Sequence, residues 1–193
     1  MQTKTATVYL AAAALAGALL LHGEPAAAQS KMPFVPESFR VPPGLETREF
    51  RLRMLTVNDV VKDYDAVITS AAHLKRVAGG GTWPDGLTLE GNLIDLGWHQ
   101  KEFARRTSFA YTVVSPDESR VLGCVYVNPT RKRGYDASVT LWARQSELAN
   151  GLEDRLAAAV KQWLAKEWPF ESVAYPGRDV DWTTYRQLPD VPR

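Results

Sequence analysis

The sequence predicts an α+β fold: a single mixed, mainly antiparallel sheet flanked by helices, with elements in the order β-α-α-β-β-β-α-β. Three observations carry this. Strand patterns over 108–115, 120–129 and 135–144 follow one another with no helix between them, so they pair as antiparallel neighbours. Two segments of helical period precede them. A last strand pattern, Glu171–Gly177, is reached through a long helix, and such a crossover makes it a parallel, right-handed neighbour.

The chain opens with a pattern that is not expected to join this fold. Lys4 precedes an uncharged apolar run of 14 residues, Val8–Leu21, and Ala26-Ala27-Ala28 offers a small-residue cleavage site. Residues 1–28 are therefore expected to be a secretory signal peptide, which predicts an exported chain, periplasmic or secreted. The apolar run falls short of the ~20 residues a spanning helix needs, so no stable membrane insertion is expected once it is removed. Residues 29–47 hold four prolines and read as an extended lead-in, leaving 48–193 as one domain. Lys and Arg number 23 against 22 Asp and Glu, a balance that gives no case for nucleic acid or an anionic membrane as partner. The single Cys124 excludes an internal disulfide, and its place in "VLGCVYV" marks a small buried side chain rather than a nucleophile.

Each element has its own warrant. Arg48–Leu55 alternates, with Phe50, Leu52 and Met54 opposite Arg51 and Arg53, as in a half-buried strand. Thr56 caps the next helix, and Asp59 completes an approximate capping box. Val57, Val60, Val61, Tyr64, Val67, Ile68, Ala71 and Leu74 keep helical spacing, so one helix is expected throughout. "AGGGTWPDG" breaks the chain and reads as a surface loop or as a flap over a site. A second helix is expected over Thr88–Arg106, with Leu89, Leu93, Leu96 and Phe103 inward. Ser108–Ser115 and Arg120–Pro129 form a hairpin around "PDES". Tyr135–Arg144 alternates, with Ala137, Val139, Leu141 and Ala143 on one face. The helix after it stacks Leu148, Leu152, Leu156, Ala159, Val160, Trp163 and Leu164 in one stripe and stops before Pro169. The tail from Arg178 shows little period.

This order resembles the GNAT-type N-acetyltransferase superfamily over roughly 48–177. "FRLRMLTVNDVVKDYDAV" looks like that family's first strand and capped helix, and "YTVVSPDESRVLGCVYV" like its second and third strands. "YDASVTLWAR" and the helix after it look like its fourth strand and third helix. "TWPDGLTLEGNLIDLGWHQKEF" and "KEWPFESVAYPGR" also resemble a bacterial GNAT-like subgroup. The resemblance implies an acyl-CoA-dependent N-acyltransferase, with acetyl-CoA as donor and a small-molecule amine or peptide as acceptor. It implies that the splayed end of the fourth strand, here Trp142, Ala143 and Arg144, pairs with the pantetheine arm. It further implies a pyrophosphate loop of pattern Arg/Gln-x-x-Gly-x-Gly/Ala, where glycine lets phosphate approach the backbone amides. Here Asn150 and Gly151 would hold it, but only Gly151 fits the pattern: Ser146 stands where Arg or Gln belongs, and Ala149 where the central Gly belongs.

The same junction has a second account. Asn150-Gly151-Leu152-Glu153 reads as a helix cap with a capping box. Glu147 and Glu153 oppose a bound pyrophosphate, and Arg144 and Arg155 could offset them. The expectation is a degraded pyrophosphate loop, and the alternative is an exported, non-catalytic domain that binds a small ligand or a protein partner. On the second helix, Asp95 and His99 share one face at i, i+4, with Glu102 one turn on. In GNAT-like folds this helix lies near the acceptor opening, which makes His99, oriented by Asp95, the candidate general base. The other reading of the pair is a solvated polar face. One His with no Cys nearby predicts no metal site. Six Trp and seven Tyr suggest either an aromatic groove or aromatic packing. Tyr185 falls in no recognisable motif, and no acid role is assigned to it.

Overall fold

The computed structural model describes residues 33–191, so the expected signal peptide lies outside the described residues. One sheet carries six strands in chain order: β1 Gly44–Glu46, β2 Arg51–Met54, β3 Phe109–Val114, β4 Val121–Pro129, β5 Ala137–Ala143 and β6 Val173–Ala174. Neighbours are antiparallel throughout except β5 and β6, which run parallel. This is the mixed, mainly antiparallel α+β architecture expected from the strand spacing.

β1 comes from the segment read as an extended lead-in. The Thr47 hydroxyl accepts from the amides of Glu49 and Phe50, at 3.2 and 3.0 Å, and turns the chain back onto β2. Upstream, Phe34, Val35, Phe39 and Val41 pack on the core, and Tyr111 donates its buried hydroxyl to the Pro42 carbonyl at 2.8 Å. The prolines deny the segment a helix but not a share of the core.

The helices are α1 Val60–Ile68, entered through a 3-10 turn, then α2 Ala71–Val77, α3 Leu89–Ala104, α4 Leu152–Glu167 and α5 Trp182–Gln187. The single first helix expected from spacing is two. The Thr69 hydroxyl donates to the Asp65 carbonyl at 2.6 Å and competes with the helix ladder, while Ser70 is fully buried and accepts from the Gln145 amide at 2.9 Å. Val61 and Ile68, expected inward, are exposed. The capping box at Thr56 is present. Its Asp59 also takes a two-pronged bond from Arg53, at 2.9 and 2.8 Å, and Arg53 reaches Glu118 at 2.9 Å. Burial alone would raise the Asp59 carboxyl, but the bonds from Arg53 and Thr56 override it and hold it below the usual range.

α4 covers one face of the sheet, where Leu152, Leu156, Val160, Trp163 and Leu164 meet Tyr111, Val113, Val125, Val139 and Leu141. On the other face, Leu55, Val67, Leu74 and Leu96 cover Ala110, Val121, Cys124 and Trp142. Burying each large apolar side chain contributes about 1.5–3 kcal/mol. α3 is rotated from its expected setting: Leu89 and Leu93 are exposed, and Asn92 points inward. The reason is polar, since Asn92 Nδ2 donates to the buried Asp63 carboxylate at 2.9 Å.

The site depends on how short β6 is. Only Ala137 and Ser138 of β5 pair with it, through Val173 and Ala174. Pro176 follows with no amide to donate, and Gly177 turns the chain at φ 81°. Val139–Ala143 therefore lack a strand neighbour on that side, and the sheet opens there.

Candidate functional site

The gap between β5 and the chain after β6 contains a cavity of about 130 Å³, lined in part by Val139, Leu141, Glu153 and Arg178. The amide of Ala143 points into the gap, and by the two-residue alternation of a strand so does that of Leu141. The Ala143 amide is taken. Glu153, in the first turn of α4, accepts from it through Oε2 at 2.9 Å. His73 Nε2 of α2 lies 2.5 Å from the same oxygen, and Arg178 Nη2 donates to Oε1. A carboxylate here has donors on both oxygens, drawn from three parts of the fold.

The junction after β5 is similarly self-contained. Gln145 donates its amide to Ser70 Oγ, Glu147 to the Arg144 carbonyl, Leu148 to Gln145, Gly151 to Leu148, and Leu152 to Asn150 Oδ1. Glu153 does not reach back to Asn150, so the expected capping box is corrected. The cap residue is Gly151 at φ 75°, while Asn150 closes a local turn. Neither arginine that might offset the acids is free. Arg144 pairs with Asp65 and Thr69, and Arg155 holds Glu49 at 2.9 Å and the Asn150 carbonyl at 2.6 Å. Of the positions expected to hold a coenzyme, the Ala143 and Gly151 amides and the Arg144 side chain already have partners within the chain.

On the opposite face lie two adjoining cavities, of about 340 and 100 Å³, that share Trp83, His99 and Tyr126 as walls. The larger adds Leu74, Trp142 and Trp182, and the smaller adds Asp63, Asn92 and Asp95. Val77 and Thr140 border both the larger cavity and the β5 gap, so the two spaces meet across the strand. Trp142 thus sits on the face away from Ala143, and its buried indole Nε1 has no hydrogen-bond partner among the described residues. Trp182 was not identifiable from period. Its ring lies against Gly79 and Gly177, where a Cβ would come within 2.4 and 2.6 Å of it, and its Nε1 donates to the Val77 carbonyl at 3.0 Å. The one sequence signal for α5 is its cap: Asp181 accepts from the Thr184 amide at 2.9 Å.

His99 stands where the two cavities join. Its ring lies 5.2 Å from that of Tyr126, tilted by 47°. Burial lowers its pKa, against the opposing pull of Glu102 and Asp95, so the ring is neutral at pH 7 and can accept a proton. Asp95 lines the smaller cavity with His99 but makes no hydrogen bond to it among the described residues. The carboxylate within 4 Å is that of Glu102, 3.9 Å from Nδ1, and Glu102 also accepts from Ser108 Oγ at 2.8 Å. Beneath them Asp63 is 3% exposed, with Cys124 Sγ at 3.6 Å, and burial raises its carboxyl. The Cys124 thiol and the Tyr126 hydroxyl are also pushed up by burial, so neither supplies an anion near neutral pH. Among the described residues no cluster of three or more His, Cys, Asp and Glu could hold a metal.

No family model and no curated protein matches the chain. Solved structures do. The ribosomal-protein-S5-alanine acetyltransferase of Vibrio fischeri is 17% identical and superposes with a TM-score of 0.52 over 64% of this chain and 67% of its own. RimL, a ribosomal L7/L12 α-N-protein acetyltransferase solved with coenzyme A, is 16% identical over 66% and 68%, with a TM-score of 0.52. The microcin C7 self-immunity acetyltransferase MccE, solved with acetyl-CoA and AMP, is 10% identical over 66% and 69%, also at 0.52. The chain spans about two-thirds of each neighbour's length. It has the GNAT acetyltransferase fold.

Proposed function

We propose that this GNAT-fold chain is an N-acyltransferase whose acceptor is a small amine or peptide amine seated in the aromatic cavity beside His99. One observation carries the reading: a histidine held neutral by burial stands at the junction of two cavities, the larger of which borders β5 through Thr140 and Trp142. An amine must lose its proton before or as it attacks an acyl carbon, and a neutral imidazole within reach can take it. Trp83, Trp142 and Trp182 supply apolar walls for the acceptor's carbon skeleton, and the Asp95 carboxylate favours a cationic head on entry. Acetyl-CoA is the acyl donor this reading calls for; of the residues that would hold it, the Ala143 amide and Arg144 are engaged within the chain. The test is thiol release from acetyl-CoA in the presence of a panel of primary amines and short peptides. At least one acceptor should support release, and His99→Gln should lower it by about 10²–10⁴-fold. Equal rates in the two proteins would remove His99 from the chemistry.

A second reading is favoured by the Glu153 contacts: an exported domain of the same fold that binds a ligand in the aromatic cavity and transfers nothing. Export would separate the chain from cytosolic acetyl-CoA, so location discriminates. Cell fractionation that finds the protein beyond the cytoplasmic membrane, together with no thiol release for any acceptor, selects this reading.

A further inference from the structure

We infer that Ala143, His73 and Arg178 form a receptor for an oxyanion, and that the Glu153 carboxylate is its tethered occupant, displaced when an external carboxylate or phosphate binds. The donor set is unlike an ordinary helix cap. Glu153 is the second residue of α4 after its cap Gly151, where an acid side chain ordinarily stays in solvent near the free helix amides. Instead it leaves the helix to meet a backbone amide ten residues earlier, at 2.9 Å, and His73 from eighty residues earlier, at 2.5 Å. Arg178, from the turn after β6, closes the other oxygen. His73 is 7% exposed, a setting in which a polar side chain needs a partner. The Ala143 amide and the Arg178 guanidinium donate, and His73 Nε2 donates in the tautomer that carries its ring proton there, the one an ionised carboxylate selects. The nearby acid Asp154 touches only the outer rim, 3.7 Å from Arg178 Nη1.

The surroundings are those of a ligand cleft rather than a packed core. Glu153 and Arg178 line the cavity of about 130 Å³ in the sheet opening, and the Leu141 amide points into the same space. A two-torsion side-chain movement of Glu153 into solvent would vacate the receptor without moving the backbone. An arriving oxyanion would then replace one carboxylate by another anion on the same donors, at little net electrostatic cost. If the donor-side reading above holds, the same exchange admits an acyl-CoA; the receptor itself needs only an oxyanion.

The experiment is calorimetry of the full chain and of its Glu153→Ala and Glu153→Gln variants, titrated separately with acetate, inorganic phosphate and coenzyme A, with circular dichroism confirming the fold. The expected result is binding of phosphate and coenzyme A to Glu153→Ala at least about 10-fold tighter than to the parent, because the internal competitor is gone. Glu153→Gln, which keeps an oxygen for the Ala143 amide but no charge, should fall between them, and it carries the test if the alanine variant does not fold. Coenzyme A binding tighter than phosphate identifies a coenzyme as the source of the anion; equal affinities identify a free oxyanion. Identical affinities in parent and folded variants, including no binding in any, would overturn the inference. Because the readout is heat, tighter binding without thiol release would fail the acyltransfer reading and leave this one standing.

Discussion

His99 gives up its proton more readily than a free histidine because its ring is only 33% exposed and the desolvation outweighs two nearby carboxylates. The sign of the consequence follows. Its folded-state pKa lies below the unfolded value of about 6.5, so the stability tied to the neutral ring is fully present above that value. It is lost as pH falls through the lowered folded value. Melting temperatures of His99→Gln and the parent should therefore converge as the pH falls from 7 to 5, and thiol release by the parent should persist below pH 6.5. Asp63 has the opposite sign. Burial raises its folded-state pKa, so its protonated form is favoured, and that contribution disappears as pH rises through the raised value. Asp63→Asn, which can still accept from Asn92, should stabilise the protein by about 1 kcal/mol at pH 7, or about 2–4 °C. The gain should vanish near pH 4, and an equal gain at both would show that the carboxyl is not charged when buried. Residues such as these were half legible. His99 and Asp95 were found by their i, i+4 spacing, but spacing could not show that Glu102, not Asp95, comes within 4 Å of the ring. Glu153 was visible as a cap residue and as an acid opposing a pyrophosphate, but not as the partner of His73 and Arg178, which lie far away along the chain.

At the scale of elements, strands were easier to read than helix faces. β3, β4 and β5 each alternate or run apolar between turn residues, and each lies within a residue or two of its expected bounds. The first helix was over-extended because Ala71 and Leu74 keep its spacing across Thr69 and Ser70, and only the folded chain shows where those two hydroxyls bond. α3 was read with leucines inward, whereas a buried acid demanded Asn92 instead. Its start was legible: Thr88 accepts from the Gly91 amide at 3.0 Å, and Thr88→Ala should cost about 1 kcal/mol, measured by urea denaturation. Between β4 and β5, a Cβ on Gly123 would lie 2.0 Å from the Trp142 carbonyl oxygen. Gly123→Ala should therefore cost more than the ~1–3 kcal/mol of ordinary overpacking, or fail to fold. A variant with parent-like stability would mean that the two strands are not so closely approached.

For the whole molecule, the sheet opening, the aromatic cavity and the tail form one arrangement. β6 is too short to close the sheet, and the tail that follows it sends Arg178 to the β5 gap and Trp182 to the aromatic cavity. Gly177 permits both, since it takes φ 81° and leaves room for the indole. Gly177→Ala should displace Trp182 and weaken amine binding, read as a changed tryptophan emission and a reduced affinity, while leaving the remote hairpin untouched. This linkage was not legible in the tail's composition, which has a cap but no period. The central claim is that an acceptor amine lies against His99 between the two cavities. The most direct measurement is a crystal structure of the protein soaked with the amine that best supports thiol release. The account predicts the amine nitrogen within hydrogen-bonding distance of the His99 ring, its carbon skeleton between Trp83, Trp142 and Trp182. Density for the amine elsewhere, with the cavity beside His99 filled by solvent, would contradict it.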